Sequence, residues 1–356
     1  MIKRKPKPIF FIIVVIIFLL ILNVCIYIYL SSPIDSSNDN DIKVTITSGT
    51  STGGIGKILK EKGLIRSEMF FTIYARIKQK HSLKASTYDL RKDMGLAEIV
   101  EVLTGGNNYN ENVINVTFKE GQRLTDYAEV IANNTLNTYD EVINIIKDKT
   151  YLTELINKYW FLTDDILNDD IYYSLEGYLF PDTYQFKDRS VSVKDIIEAL
   201  LNQTDKKLSI YKNSITNYSV HEYITMASIV ELEGTNTKNR KMIVGVFNNR
   251  LNKKMNLGSD VTTYYALQYP MTSDLTTSQF ATVNPYNTRA SNMGGKLPIG
   301  PICNPGISAI SASINPTDNN YLYFVADKNK KIYYSSTLAE HEAMVREIKD
   351  KGDWIW

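Results

Sequence analysis

The hydrophobic pattern opens with an unbroken run. From Ile9 to Leu30 every position is apolar except Asn23, and a helix of that length matches the roughly 30 Å hydrocarbon core of a bilayer. Lys3, Arg4, Lys5 and Lys7 precede it, so the pattern predicts a single transmembrane helix over 9–30 behind a short cytoplasmic tail, 1–8. The run is longer than the apolar part of a secretory signal, and no small-x-small cleavage site stands before Ser31, which favours an anchor over a cleaved leader. Val24 occupies the place where a lipoprotein would carry a small residue before Cys25. Residues 31–41, SSPIDSSNDND, are polar and without period and are read as a stalk.

Order is expected from Ile42. VTITSGTSTGGIGKILKEKGLI reads as a strand, a Gly-rich turn and an amphipathic helix, and SEMFFTIYARIKQK as a helix opened by a serine cap. ASTYDLRKDM reads as a returning strand, GLAEIVEVLTGG as a short helix closed by glycines, and VINVTFKEGQRLTDYAEVIANN as another strand, turn and helix. Leu96, Val100 and Leu103 align with Leu124, Ala128 and Ile131. That weak internal repeat points to a small strand–helix element of the LysM-like, glycan-binding kind. The expected organisation is α+β, with a LysM-like module over 42–112 and a larger domain over 113–356.

A single stretch dominates the larger domain. From Ile224 to Leu232 the side chains are apolar or small on every face, which predicts a core helix. Glu231 lies near its end, just before Gly234. A carboxyl there is either a general acid whose pKa burial raises, or a core-edge group paired with Arg240 or Arg250. Around it, NRKMIVGVFNNRLNKKM reads as a helix, and LGSDVTTYYAL as a helix with Asp260 most simply at its N-cap. SLEGYLFPDTYQF is dense in aromatic rings around Pro181 and reads as loop and strand. Within it Asp182 suits a turn cap, and Glu176 either pairs with a lysine or walls a sugar subsite. The stretch 282–306 holds so many Pro, Gly and Asn that it must be an ordered irregular loop. ISAISASINP, NYLYFVAD, IYYSS and TLAEHEAMVREIKD complete the pattern as helix, strand, strand and helix.

Composition narrows the chemistry. Lys and Arg number 40 against 39 Asp and Glu, so nothing marks a nucleic-acid partner. The two cysteines are Cys25, inside the apolar run, and Cys303; they cannot pair within the chain. With three histidines and no cysteine cluster neither a metal nor another cofactor is expected. His221 and His341 have apolar or helical surroundings and are read as structural. No phosphate loop, HExxH or nucleophile elbow occurs. A buried acid among aromatic rings and a Pro/Gly loop suits glycan cleavage.

ASIVELEG, VFNNRL, SDVT, NPYNT, LPIGPICNPG, YLYFVAD and TLAEHE, with LKASTYDLR and EGYLFPDTY upstream, resemble the motifs of the MltG/YceG-like endolytic murein transglycosylases in order and spacing, over nearly the whole chain from Val44. The resemblance implies a single-pass membrane protein with its catalytic domain outside the cytoplasm, cutting nascent peptidoglycan strands internally at the MurNAc-GlcNAc bond to leave a 1,6-anhydro end. It places the catalytic glutamate at Glu231, acid then base. Tyr286, Asn287, Glu176 and Asp260 become candidate sugar contacts, and Glu233 and Arg250 neighbours that support the acid. The implied partners are glycan strands, the cell membrane, and penicillin-binding and other cell-wall elongation proteins. A muramidase-type hydrolase and a non-catalytic glycan-binding scaffold are the alternatives. Two positions depart from the family: Arg289, where Tyr is frequent, and Gly258, where Gln is.

Overall fold

The computed structural model describes residues 8–47, 49–78, 83–105 and 113–354, with side chains from Val15 onward. It is α+β and divides into two compact units, residues 1–114 with 185–189, and 115–184 with 190–356. The first begins with α1 (Pro8–Ser31) and continues as β1 (Ile42–Ile46), α2 (Thr52–Glu61), α3 (Glu68–Lys78), β2 (Ser86–Leu90) and α4 (Leu96–Leu103). Strands β1 and β2 pair antiparallel with Val44 opposite Tyr88. Alternation turns Val44 and Ile46 inward while Lys43 and Thr45 face water. They meet Ile55 and Leu59 of α2, Phe71 of α3 and Ile99 and Leu103 of α4 in one apolar core. Ser51 caps α2 by accepting from the Gly54 N–H at 3.1 Å, and Ser67 caps α3 through Phe70 N–H at 3.2 Å.

In α1 the large apolar side chains from Val15 to Tyr29 are exposed. Among the described residues no helix is long and apolar enough to cross a membrane; the beginning of the expected span, through Val14, lies outside the residues whose side chains are described.

The second unit contains β3 (Ile114–Thr117), α5 (Leu124–Asn134), α6 (Tyr139–Lys147), α7 (Lys149–Lys158), β4 (Thr183–Phe186), α8 (Val193–Leu208), α9 (Val220–Glu233), α10 (Thr237–Asn252), α11 (Asp260–Ala266), α12 (Thr277–Phe280), α13 (Ile307–Ile314), β5 (Tyr323–Ala326), β6 (Ile332–Ser335) and α14 (Leu338–Asp350). Strands β3 and β4 pair, and β5 pairs antiparallel with β6. Helix α9 is the centre. Ser219 and Glu222 form its capping box, and every residue from Tyr223 to Glu231 is buried, as expected of a helix with no polar face. It packs against α10, α11 and α13. Its two hydroxyls are satisfied inside the core: Thr225 donates to the His221 carbonyl at 2.7 Å, and Ser228 accepts from the Ile302 N–H at 3.0 Å.

That last bond draws the loop 299–306 onto α9, and glycine permits the approach. Gly177 has φ +85°, and a Cβ there would lie 2.4 Å from Pro301 and 2.9 Å from Ile224. Gly53, within α2, has open space around it. Gly177→Ala should therefore destabilise the second unit by roughly 2–3 kcal/mol through strain and overpacking, whereas Gly53→Ala should be neutral or stabilising by up to about 1 kcal/mol. Thermal unfolding of the two variants checks this; equal melting temperatures would refute the packing argument.

Candidate active site

Helix α9 ends with two carboxylates in its last turn. Glu231 and Glu233 are two residues apart, roughly 200° around the helix axis, and so they face different surroundings.

Glu231 is enclosed. Its Oε1 accepts from Arg240 Nη2 at 2.5 Å and its Oε2 from the backbone N–H of Gly306 at 3.0 Å, so both oxygens are engaged. The ion-paired side chains are 5% and 11% exposed. Burial pushes the Glu231 carboxyl above its usual range, while Arg240 and the Gly306 N–H draw it back and Glu120 adds repulsion. Gly234 allows this closeness. Its φ is −106°, but a Cβ there would meet Arg240 Cγ at 2.6 Å.

Glu233 opens onto space. It lines a cavity of about 740 Å³ with Arg250, Gly258, Ser259, Asp260, Arg289 and His341 among its neighbours, a size suited to a small-molecule or sugar site. Its one oxygen contact is a short bond from Ser259 Oγ at 2.5 Å, and among the described residues no cation forms an ion pair with it. Burial raises its pKa above the ordinary carboxyl range; Asp260 adds to that, while the Ser259 hydroxyl, Arg250 and Arg289 oppose it. Here is a carboxyl disposed to hold a proton near neutrality, next to a cavity. A second cavity of about 280 Å³ includes Leu232, Tyr265, Arg123 and Gln268. Val261 lines both.

Ser259 is fixed by hydroxyls brought from two segments. Its N–H donates to Thr288 Oγ1 at 3.0 Å, its carbonyl accepts from Thr262 Oγ1 at 2.6 Å, and the Thr262 and Thr288 hydroxyls lie 2.9 Å apart. Ser259, Thr262 and Thr288 are all buried, so this network aims the serine at Glu233. Arg250 is held as firmly: Nε donates to the Leu322 carbonyl and Nη1 to that of Leu257, at 2.5 and 2.6 Å, and its guanidinium lies 5.0 Å from the Tyr323 ring centre. At the rim Arg289 pairs with Asp260, which opens α11 at its first residue, with Ser259 as the N-cap. Among the described residues no group of three His, Cys, Asp or Glu side chains is placed to hold a metal ion.

The sequence profile of the YceG-like family matches residues 44–347. The chain belongs to the YceG-like family. It is 37% identical over 318 residues to the endolytic murein transglycosylase of Bacillus subtilis strain 168, covering 87% of this chain and 86% of that one. To the protein of the same name from Streptococcus pneumoniae R6 it is 34% identical over 322 residues, 85% of this chain and 58% of that one. The crystal structure of a YceG-like protein from Listeria monocytogenes superposes with a TM-score of 0.61 at 35% identity, over 86% of this chain and 99% of that one.

Within the family the residues expected at the site divide. Asp260, Glu233 and Arg250 share the cavity with Ser259 and Arg289. Glu231 is paired beneath it with Arg240, the second of the two readings its sequence context allowed. Tyr286 and Asn287, expected to contact sugar, are fully buried. The Tyr286 ring packs 4.8 Å from those of Tyr172 and Tyr265. Asn287 accepts from Thr263 Oγ1 at 2.7 Å and donates to the carbonyls of Phe280 and Thr282 at 3.0 and 2.7 Å. Their polar groups are consumed in holding the loop, so the geometry gives them structural work in place of a sugar contact. Glu176 neither meets a lysine nor walls either cavity. It takes the Leu124 N–H at the start of α5 at 2.9 Å, the Tyr265 hydroxyl at 3.1 Å and Asn304 Nδ2 at 3.3 Å. His221 is structural as expected: its Nε2 donates to the Ile299 carbonyl at 2.8 Å, leaving Nδ1 to accept from Tyr178 at 2.7 Å. His341 faces the cavity instead. Sequence reasoning missed Ser259 and Thr288 as functional residues; the hydroxyls in SDVT and NPYNT were the signal that could have found them.

Burial lifts the Glu176 carboxyl to about 8 in the folded protein, against roughly 4.3 in an unfolded chain. The folded state therefore binds the extra proton between those values, and stability falls as pH rises from about 4.5 through 8. Glu176→Gln keeps the acceptor for Leu124 and should flatten that decline in a plot of melting temperature against pH; an unchanged slope would contradict the assignment.

Proposed function

We propose that this chain is a lytic transglycosylase of peptidoglycan strands in which Glu233 performs the proton transfers and Glu231 anchors the helix that carries it. The names of the relatives supply the reaction class. The observation that carries the assignment is the contrast at the end of α9: Glu233 meets the cavity with a hydroxyl as its partner, whereas Glu231 is locked by a guanidinium and a backbone N–H. An acid that must next act as a base has to be comfortable in both states, and a serine hydroxyl can donate to a carboxylate or accept from a carboxylic acid.

Protonated Glu233 would donate to the oxygen linking MurNAc to GlcNAc as the bond from that oxygen to C1 breaks. The resulting carboxylate would take the proton of the muramyl C6 hydroxyl as O6 bonds to C1. The enzyme is restored, GlcNAc leaves with a free hydroxyl, and the muramyl residue ends as a 1,6-anhydro sugar. No water is consumed and one carboxyl serves both steps. Cutting within a strand calls for sugars on either side of the broken bond, and the two cavities meeting at Val261 supply adjacent room for them.

The same reading extends along the chain. The apolar stretch 9–30 and the exposed apolar faces of α1 support a single membrane anchor with residues 1–8 in the cytoplasm, a stalk over 31–41 and everything beyond it outside. The β–α–α–β order of β1, α2, α3 and β2 supports a LysM-like module over 42–112 ahead of a catalytic domain over 113–356. Penicillin-binding proteins and other elongation proteins are the proposed partners at the membrane.

Two substitutions test the assignment. Glu233→Gln should reduce strand cleavage by about 10²–10⁴-fold with little change in melting temperature. Glu231→Gln strands the Arg240 guanidinium and should cost roughly 3–5 kcal/mol of stability, while folded molecules still cut. Mass spectrometry of the ends formed from un-crosslinked strands reads the result, since an anhydro end is one water lighter than a reducing end. Full activity in the Glu233 variant with loss only in the Glu231 variant would reverse the roles.

A further inference from the structure

The cavity beside Glu233 has a second wall. Helices α9, α10 and α11 form one side, and β5, β6 and α14 bring Phe324, Val325, Ala326, Ile332 and Val345 to the other. Amid these apolar groups His341, from the first turns of α14, is the one titratable side chain. Its ring stacks on Tyr323 with centroids 5.4 Å apart and 24° between planes. Arg250, also on the cavity, lies over that same tyrosine.

The imidazole Nδ1 is buried and has no hydrogen-bond partner. Among the described residues four other side chains carry a buried unpartnered polar atom, Tyr151, Arg240, Asn248 and Tyr334, and none of them lines this cavity. An unpaired nitrogen out of water is unfavourable, and such orphans in native structures call for an explanation. Stacking on Tyr323 does not supply one, since a phenyl ring would stack as well without the penalty. The charged groups around the ring agree with a neutral imidazole: burial and the nearby Arg250 hold it below its ordinary range, against a smaller opposing effect of Glu342. A neutral imidazole beside a sugar-sized cavity is a good partner for a hydroxyl or an amide.

We propose that His341 is a substrate-binding residue whose Nδ1 pairs with a hydroxyl or acetamido group of the N-acetylated sugar lying opposite Glu233. The proposal rests on the reading of this cavity as the glycan site. It assigns the wall formed by β5, β6 and α14 to recognition, while the α9 wall carries the proton transfers.

The test uses the full chain with Glu233→Gln present, so that un-crosslinked glycan strands bind without being cut, and measures their affinity by calorimetry. His341→Ala should weaken binding about tenfold. His341→Asn places an amide near the position of Nδ1 and should restore most of the affinity; His341→Gln reaches toward the position of Nε2 and should not. Alanine binding as tightly as its parent, or glutamine restoring affinity as well as asparagine, overturns the proposal. If alanine fails to fold, the asparagine and glutamine variants decide between them. Residual cutting with Glu233→Gln would strike at the assignment of the acid, and the comparison of the two amides would still report on His341.

Discussion

A buried helix that ends in two carboxylates must find each of them a partner, and the second unit is arranged around the two different solutions. Burial penalises the charge on both. Glu231 receives a full positive charge and a backbone N–H, which favours the carboxylate and ties α9 to α10 and to the start of α13. Removing one member of such a buried pair costs roughly 3–5 kcal/mol, so this contact is a structural joint. Glu233 receives a hydroxyl, whose bond to a charged group contributes roughly 1.5–3 kcal/mol and which can reverse its direction when the carboxyl takes a proton. The same helix turn therefore holds one acid in a single state and leaves the other free to change state. Proton transfer at a fixed position needs both.

The irregular stretch 282–306 shows how a loop without regular backbone bonding becomes rigid enough to frame a site. Asn284 accepts from the Tyr286 N–H at 2.9 Å and donates to the Tyr172 hydroxyl at 2.8 Å. Asn304 accepts from the N–H groups of Gly177 and Leu179 at 3.0 and 3.2 Å. Side-chain amides here replace the ladder bonds that a strand would provide. Thr288 extends the scheme to Ser259 and so to the acid. Glu176 belongs to the same scaffold, capping the start of α5 at one side and holding Asn304 at the other.

Much of this was legible in the sequence because it depends on neighbours along the chain. The absence of a polar stripe from Ile224 to Leu232 marked a core helix, alternation marked Val44 and Ile46 as inward, and the Pro, Gly and Asn of 282–306 excluded regular structure; each is what the fold contains. The division of labour between Glu231 and Glu233 was not legible. Periodicity says that they face apart, but only the fold says that Arg240 and Gly306 close on one while a cavity opens beside the other. Tyr286 and Asn287 misled for the same reason. An aromatic and an amide in a polar loop resemble a sugar platform until Tyr172, Tyr265 and Thr263 arrive from distant segments and bury them. Glu176 is bonded to an N–H 52 positions earlier, which no local pattern encodes.

The two departures from the family pattern act at the same point. Gly258 has φ +64° and donates its N–H to the Thr288 carbonyl at 3.2 Å; a Cβ there would lie 3.1 Å from Arg250 Nη1. Glycine thus lets the guanidinium settle against the turn that presents Ser259. Arg289, in the place where Tyr is frequent, pairs with Asp260 at the cavity rim and stacks 5.0 Å from the Phe280 ring centre. Asp260 pushes the Glu233 carboxyl toward its protonated form and Arg289 pulls it back. A neutral side chain at 289 would leave Asp260 uncompensated beside the acid, so in this chain the rim pair moderates the charge that Glu233 experiences. Salt screens such an interaction weakly when the intervening space is protein, and the identity of residue 289 therefore bears on the chemistry of a carboxyl that the loop never touches directly.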